Sequence, residues 1–253
     1  VPNLDYCQKS GFPSLETTKG MKKKVLDVGC GHGFSASCLS KKHSVVGIDI
    51  SSQDIDIARI RYPCVNFQLM NAEKLLFPDD YFEEVYAIDV LEHVDNLDTV
   101  LGEISRVLKT NGKFIVNIPY WKSEEWLAKI RPSYFQEIHH VRVFKDKELD
   151  NILAKYSMKI LIKKKTGFLS HIEHYYMFTR KINSETQLGI GSWRDNWKTK
   201  FLHLSLLLFD DKVLETPLKY FPLWIITVPI GFLINSFGNK YFPKSIFYKV
   251  VKK

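Results

Sequence analysis

The sequence predicts an α/β fold: a doubly wound, mostly parallel sheet with a helical, apolar and basic region appended at its C-terminal end. Three observations carry this. An apolar, β-branched run at 24–28 opens directly into three glycines at alternate positions, Gly29, Gly31 and Gly33, and then into a helical stretch at 34–42. A second apolar run, 44–49, ends in Asp49, 20 residues after Gly29. From there, strand-like and helix-like segments keep alternating as far as residue 118.

Each element has a local reason. The three glycines lack a Cβ, so the backbone turns sharply there and a ligand can lie against it. Asp49, at a strand end, can accept hydrogen bonds from both hydroxyls of a ribose; the competing reading is a cap on the helix that starts near Ser51. Residues 65–69 read as a third strand, Pro78-Asp79-Asp80 as a turn and 82–88 as a fourth strand. Residues 97–108 carry apolar side chains at 97, 100, 101, 104, 107 and 108, a one-faced helix capped by Asp95 or Asn96. Asn111-Gly112 reads as a turn into a fifth strand, 113–118, stopped by Pro119. A helix at 145–156 and strands at 158–166 and 174–180 follow.

Composition sets the class. The chain has 253 residues, 45% of them hydrophobic, and a formal net charge of +8, a globular balance. Residues 217–253 hold six lysines and no Asp or Glu, which leaves only +2 on the rest of the chain. The four cysteines, Cys7, Cys30, Cys38 and Cys64, form no C-x-x-C pair and no metal-ligand spacing, so reduced thiols in a cytoplasmic setting are expected.

The glycine spacing narrows the family. A dinucleotide fingerprint G-x-G-x-x-G would need glycine at 34, which is Phe34. The run Val25-Leu26-Asp27-Val28-Gly29-Cys30-Gly31-His32-Gly33 instead resembles motif I of the class I S-adenosylmethionine-dependent methyltransferases. Asn71-Ala72 resembles their adenine-side D-A pair, with an amide in place of the acid. Ala87-Ile88-Asp89-Val90-Leu91-Glu92-His93-Val94 resembles their V-L-E-H-V segment at the end of strand four. The passage from Arg106 through Gly112 to Pro119, and His140 with Phe144, resemble the family's following segments. The resemblance covers 22–181 and implies a Rossmann-like, seven-stranded sheet with one antiparallel strand. It also implies S-adenosylmethionine held by Asp27, Gly29, Cys30, Gly31, Gly33, Asp49, Ile50, Asn71, Ala72, Ile88 and Asp89. His140, ahead of His93, is the candidate base for a proton leaving the acceptor. Similar D/E-x-x-E-H runs in ubiquinone-pathway O-methyltransferases bind a divalent cation, so Asp89, Glu92 and His93 admit one chemically. The other reading is a metal-free pocket wall, and no metal is assigned. The aromatic-rich segment 120–137 is expected over the mouth of the site.

The organisation expected is therefore a lead-in at 1–21, a methyltransferase domain at 22–181 and an appendage at 182–253. Residues 220–239 carry no charge but are broken by Pro222, Pro229 and Gly231, and lysines interleaved with aromatics follow. A helix lying in a membrane face fits that pattern better than a clean span. The expected partners are a small-molecule or lipid-linked acceptor and an anionic membrane surface met through 217–253, with no nucleic acid. The expected activity is O-methylation by in-line methyl transfer, at the cytoplasmic face of a membrane. The alternative is a cofactor-binding scaffold or regulator without turnover.

Overall fold

The computed structural model describes residues 22–166, 237–241 and 243–253. Five strands run parallel: β1 (Lys24–Val28), β2 (Ser44–Asp49), β3 (Asn66–Leu69), β4 (Phe82–Ile88) and β5 (Leu108–Pro119). α1 (Phe34–Ser40), α2 (Ser52–Arg61) and α3 (Leu97–Val107) make the crossovers β1–β2, β2–β3 and β4–β5. A central parallel strand must be apolar on both faces. β1 meets that requirement with Val25, Leu26 and Val28, all at 1% exposure or less.

The helices follow their sequence signals. Ser51 caps α2, its Oγ accepting from Asp54 N at 3.2 Å. Asn96, not Asp95, caps α3, its Oδ1 accepting from Thr99 N at 3.1 Å. The α3 stripe Leu97, Val100, Leu101, Ile104 and Val107 is buried. β5 starts five residues earlier than the sequence reading placed it. The expected Asn111-Gly112 turn is absorbed as an irregularity: Phe82 pairs with Leu108 but Glu84 with Lys113, and Asn111 takes φ +64°.

The complete sheet has seven strands in the order β3-β2-β1-β4-β5-β7-β6. β6 (Met158–Thr166) is where it was expected, but β7 is Ser245–Lys252. This corrects one expectation. The proposed strand at 174–180 lies outside the described residues, and the seventh strand comes from the last residues of the chain, which were assigned to a helical appendage. The reason is a two-residue period that the charge run masks: Ile246, Tyr248 and Val250 are buried at 5%, 1% and 0% exposure, while Phe247, Lys249 and Val251 are half-buried. β7 runs antiparallel to β6, because Lys244 N donates to Thr166 O and Lys253 N to Ser157 O. Residues 167–243 are thus an insertion between two paired strands.

The chain divides into two compact units. One comprises 1–121, 135–164 and 247–253, and holds nearly all of the sheet. The other comprises 122–134 and 165–246; within it Ser123 Oγ donates to Pro243 O at 2.6 Å. The apolar run 220–236 and the helix candidate at 201–209 lie outside the described residues. Among the described residues no helix is long and apolar enough to cross a membrane. Cys30 and Cys38 are free thiols, whereas Cys64 is disulfide-bonded, against the expectation of reduced cysteines.

Candidate active site

The strand order reverses between β1 and β4, with β2 and β3 on one side and β4 and β5 on the other. A crevice opens beyond the carboxyl ends of the strands at such a point. Val28 pairs with Ile48 on one side and Ala87 on the other, so the glycine loop begins level with Asp49 and Ile88. Sequence residues far apart in the chain are therefore brought to one edge by register alone.

All three loop glycines take positive φ: +64° at Gly29, +49° at Gly31 and +83° at Gly33. Their surroundings differ. A Cβ on Gly29 would come within 2.4 Å of Val90 Cγ2, so the loop after β4 packs directly on this residue. A Cβ on Gly33 would strike Phe67 at 2.6 Å. A Cβ on Gly31 would meet nothing within 4 Å. The middle of the loop thus faces open space between two tightly packed ends, a cradle of bare backbone.

Asp49 is tied to that cradle. Its Oδ2 accepts from Gly31 N at 2.8 Å and its Oδ1 from Ser51 N at 2.9 Å. Each oxygen keeps a further lone pair for a ligand hydroxyl. Ile50 follows as a large, 72% exposed apolar side chain, and Phe34 is 65% exposed; both are available to cover an apolar ligand face. Asn71 is exposed and Ala72 half-buried, with Asn71 Oδ1 holding Glu73 N at 2.8 Å in a local turn.

Asp27 sits below the loop in β1, 1% exposed. Burial pushes its carboxyl up to about 7, and the charge of Asp49 adds to this; hydrogen bonds from the Ser35 side chain and the Ala36 amide oppose it. Cys30 contributes backbone to the loop, its N–H donating to Ile48 O at 2.9 Å. Its thiol turns inward, in the cluster with Val25, Val45 and Phe67, and burial raises its pKa. The side chain is core filling, and any ligand contact falls to its backbone.

Asp89 ends β4 with φ +54°, an unusual conformation for a non-glycine residue. It is held by Asn117 at the end of β5: Asn117 Nδ2 donates to Asp89 Oδ1 at 2.7 Å and Asp89 N donates to Asn117 O at 3.1 Å. The sequence reading missed Asn117. Its only signal was a polar residue inside the apolar run 114–118, next to a strand end that carries an acid.

Beyond Asp89, two segments close together. His93 Nδ1 lies 3.0 Å from His139 O, and the rings of His93 and His140 meet edge to face with centroids 4.7 Å apart. His140 Nε2 is 4.0 Å from Glu92 Oε1, with Glu92 1% exposed. Val141 N donates to Glu92 O at 3.0 Å, and Arg142 Nη2 binds the carbonyls of Val94 and Asp95. The two histidines singled out from sequence do come together. The His140 side chain is 9% exposed while His93 is exposed, so His93 presents the more accessible ring. Burial lowers the His93 pKa, as does its neighbour His140, against the hydrogen bond to His139 O. Arg142 was not among the expected site residues, and Glu92 entered only as a possible cation ligand; both depend on contacts 46 or more positions away in sequence, as in His93 with His139.

Residues 26–116 match the family model described as a methyltransferase domain. This part of the chain is similar to a methyltransferase domain. An O-methyltransferase of Aspergillus nomiae is 37% identical over 110 residues, 40% of this chain and 48% of that protein. A fatty-acid O-methyltransferase of Mycolicibacterium smegmatis is 32% identical over 112 residues, 40% of this chain and 41% of that protein. The chain therefore aligns with about half or less of the length of these curated relatives. The solved structure of the YcgJ protein from Bacillus subtilis matches with a TM-score of 0.53 at 18% identity, over 94% of this chain and 93% of that one. Geranyl diphosphate C-methyltransferase from Streptomyces coelicolor, solved with Mg2+, geranyl diphosphate and S-adenosyl-L-homocysteine, matches with a TM-score of 0.56 at 13% identity, over 92% and 76%. These likenesses establish the methyltransferase fold. The matched segment 26–116 contains the glycine loop, Asp49, Asn71, Asp89 and His93; His140 lies beyond it.

Proposed function

We propose that this chain is an S-adenosylmethionine-dependent methyltransferase that methylates an oxygen of a small-molecule or lipid-linked acceptor. The observation that carries the reading is the cradle: open space over Gly31, with the Asp49 carboxylate bonded to the Gly31 amide at its edge. S-adenosylmethionine supplies a methyl group on a sulfonium, already a good leaving group. Asp49 accepts the ribose hydroxyls, and Ile50 with Asn71-Ala72 flanks the adenine. Gly29, Gly31 and Gly33 pass the chain beneath the cofactor, over Asp27, and Ile88 and Asp89 bound its methionine end.

The acceptor oxygen attacks the methyl carbon in line. An O–C bond forms as the S–C bond breaks, the sulfur leaves as a neutral thioether, and the acceptor loses its hydroxyl proton. The group formed by Glu92, His93 and His140 is the polar, partly accessible feature beyond Asp89, and it is where that proton is drawn off. Oxygen as the methylated atom is favoured by the O-methyltransferase relatives. Calorimetry tests the core of this. Wild type should bind S-adenosylmethionine with one site per chain, and Asp49→Ala should weaken binding at least tenfold. Undiminished binding by that variant would remove the basis of the reading.

A lipid-linked acceptor and a peripheral position on an anionic membrane rest on the sequence of the insertion. Thr166 and Lys244 are hydrogen-bonded neighbours, which supports contact with one face of a bilayer over a single crossing. Insertion into one face is the reading we take for the apolar run 220–239. The strand residues 245–252 are withdrawn from this surface: Tyr248 is buried, and Lys252 Nζ binds Asp80 at 3.0 Å and Leu108 O at 2.7 Å. Flotation with anionic vesicles tests the contact; protein that remains in the dense fraction at low salt would count against it.

A further inference from the structure

The geometry points to a divalent transition-metal site made by Glu92, His93 and His140. One ligand atom from each lies within 4.8 Å of the others. Metal–donor distances of about 2.0–2.2 Å put neighbouring ligand atoms roughly 3 to 3.5 Å apart, so the widest pair closes on an ion by roughly 1.5 Å. This is an adjustment within the reach of side-chain rotation.

Three features make the group more than a chance gathering. First, it is built from two segments, 92–93 and 140, that are locked to each other by hydrogen bonds: Val141 N to Glu92 O, and the Arg142 guanidinium to the carbonyls of Val94 and Asp95. Second, His93 Nδ1 is turned to the His139 carbonyl at 3.0 Å. That contact fixes the proton on Nδ1 and leaves Nε2 as the donor nitrogen, the outer-sphere arrangement usual for a ligating histidine. Third, exposure is graded. Glu92 is buried, His140 is half-buried and His93 is exposed, so an ion enters from the His93 side and keeps open positions there.

The donor set selects the metal. Two imidazoles and one carboxylate suit Zn2+, Mn2+ or Fe2+; Mg2+ and Ca2+ prefer all-oxygen sets. The set also differs from one drawn along the contiguous run, because Asp89 is bound to Asn117 and is not a member, whereas His140 comes from beyond β5. On the methyl-transfer reading, on which this role rests, the open positions take the acceptor oxygen. A cation-bound hydroxyl is a stronger acid and gives its proton to water. The two histidines are then ligands, and the acceptor is one with an ionisable hydroxyl or two adjacent oxygens.

The test uses the full, tag-free chain, stripped with chelator and titrated with Co2+ as a visible-absorption probe, then with Zn2+, Mn2+ and Mg2+ by calorimetry. One Co2+ per chain should bind with d–d absorption, and Mg2+ should bind at least 100-fold more weakly than Zn2+. Glu92→Gln, His93→Ala and His140→Ala should each weaken binding at least tenfold while S-adenosylmethionine still binds, which shows that the fold is intact. Asp89→Asn should leave the Co2+ titration unchanged. Absence of stoichiometric binding, or loss of binding in Asp89→Asn with retention in His140→Ala, overturns the site. A chain that binds S-adenosylmethionine but no Co2+ loses the metal and keeps the methyltransferase reading; one that binds Co2+ but no S-adenosylmethionine does the reverse.

Discussion

The backbone N–H of Lys244 donates to the carbonyl oxygen of Thr166 at 2.9 Å. This bond ties the start of β7 to the end of β6, so a stretch that looked like a tail is a loop closed at its base. The last residues of the chain complete the sheet, and Tyr248 and Val250 are core.

Removal of that core contact should be costly. Tyr248→Ala deletes a side chain at 1% exposure and should lower unfolding free energy by about 3–5 kcal/mol. Urea denaturation followed by circular dichroism measures it. A change within about 0.5 kcal/mol, as for a surface residue, would mean that β7 is not part of the stable sheet.

The glycine loop predicts an unequal pair. Gly29→Ala combines φ +64° with a 2.4 Å approach to Val90, and should cost about 2–4 kcal/mol of stability. Gly31→Ala has φ +49° but open space around it, and should cost only about 1 kcal/mol. Its effect should appear in the cofactor, with S-adenosylmethionine affinity down at least tenfold. Thermal shift and calorimetry on both variants separate the two outcomes, and normal cofactor binding by Gly31→Ala would place the cradle elsewhere.

Asp27 predicts a pH dependence. Its carboxyl titrates near 3.8 when unperturbed and is raised to about 7 by burial in the fold. Between those values the folded state holds a proton that the unfolded chain has released. The stability contribution is therefore complete below about pH 4, falls as pH rises toward about 7 and levels off above it. At about 1.4 kcal/mol per tenfold change in proton affinity, the full span is roughly 4–5 kcal/mol, of which roughly 3–4 kcal/mol falls between pH 4 and pH 8. Asp27→Asn cannot titrate, and its stability curve over this window should be flatter than that of wild type by that amount. Equal slopes in denaturation series from pH 4 to pH 8 would refute the assignment.

Arg142 holds the carbonyls of Val94 and Asp95. Hydrogen bonds from a charged donor are worth about 1.5–3 kcal/mol, so Arg142→Ala should free the 139–142 segment from the loop after β4. Hydrogen exchange at the Val141 amide, which bonds to Glu92 O, should speed up about tenfold or more, with S-adenosylmethionine affinity within twofold of wild type. An unchanged exchange rate would show that the guanidinium does not hold the two segments together.

Most of the glycine-loop side of the crevice was legible in the sequence because its signals are local. A strand, an alternate-glycine loop and an acid at the next strand end are fixed by short-range sterics and hydrogen bonding, and parallel register alone then sets Gly29 beside Asp49. Asn96 and Ser51 announced their helices for the same reason. Cys30 belongs to the loop in sequence, yet its side-chain direction was invisible there, since only packing against Phe67 and Gly47 turns the thiol inward.

The amino-acid sequence by itself determined the doubly wound order of elements, the glycine loop and the acid at the end of β2, because each depends on neighbours a few positions away or on one strand's register. Tertiary structure alone decided the seventh strand, the Asn117 hold on Asp89 and the meeting of Glu92, His93 and His140. Those features depend on which distant backbone groups find partners once the sheet forms. The charge and composition of the chain's end pointed outward, but the unpaired sheet edge and the buried Ile246, Tyr248 and Val250 drew it in.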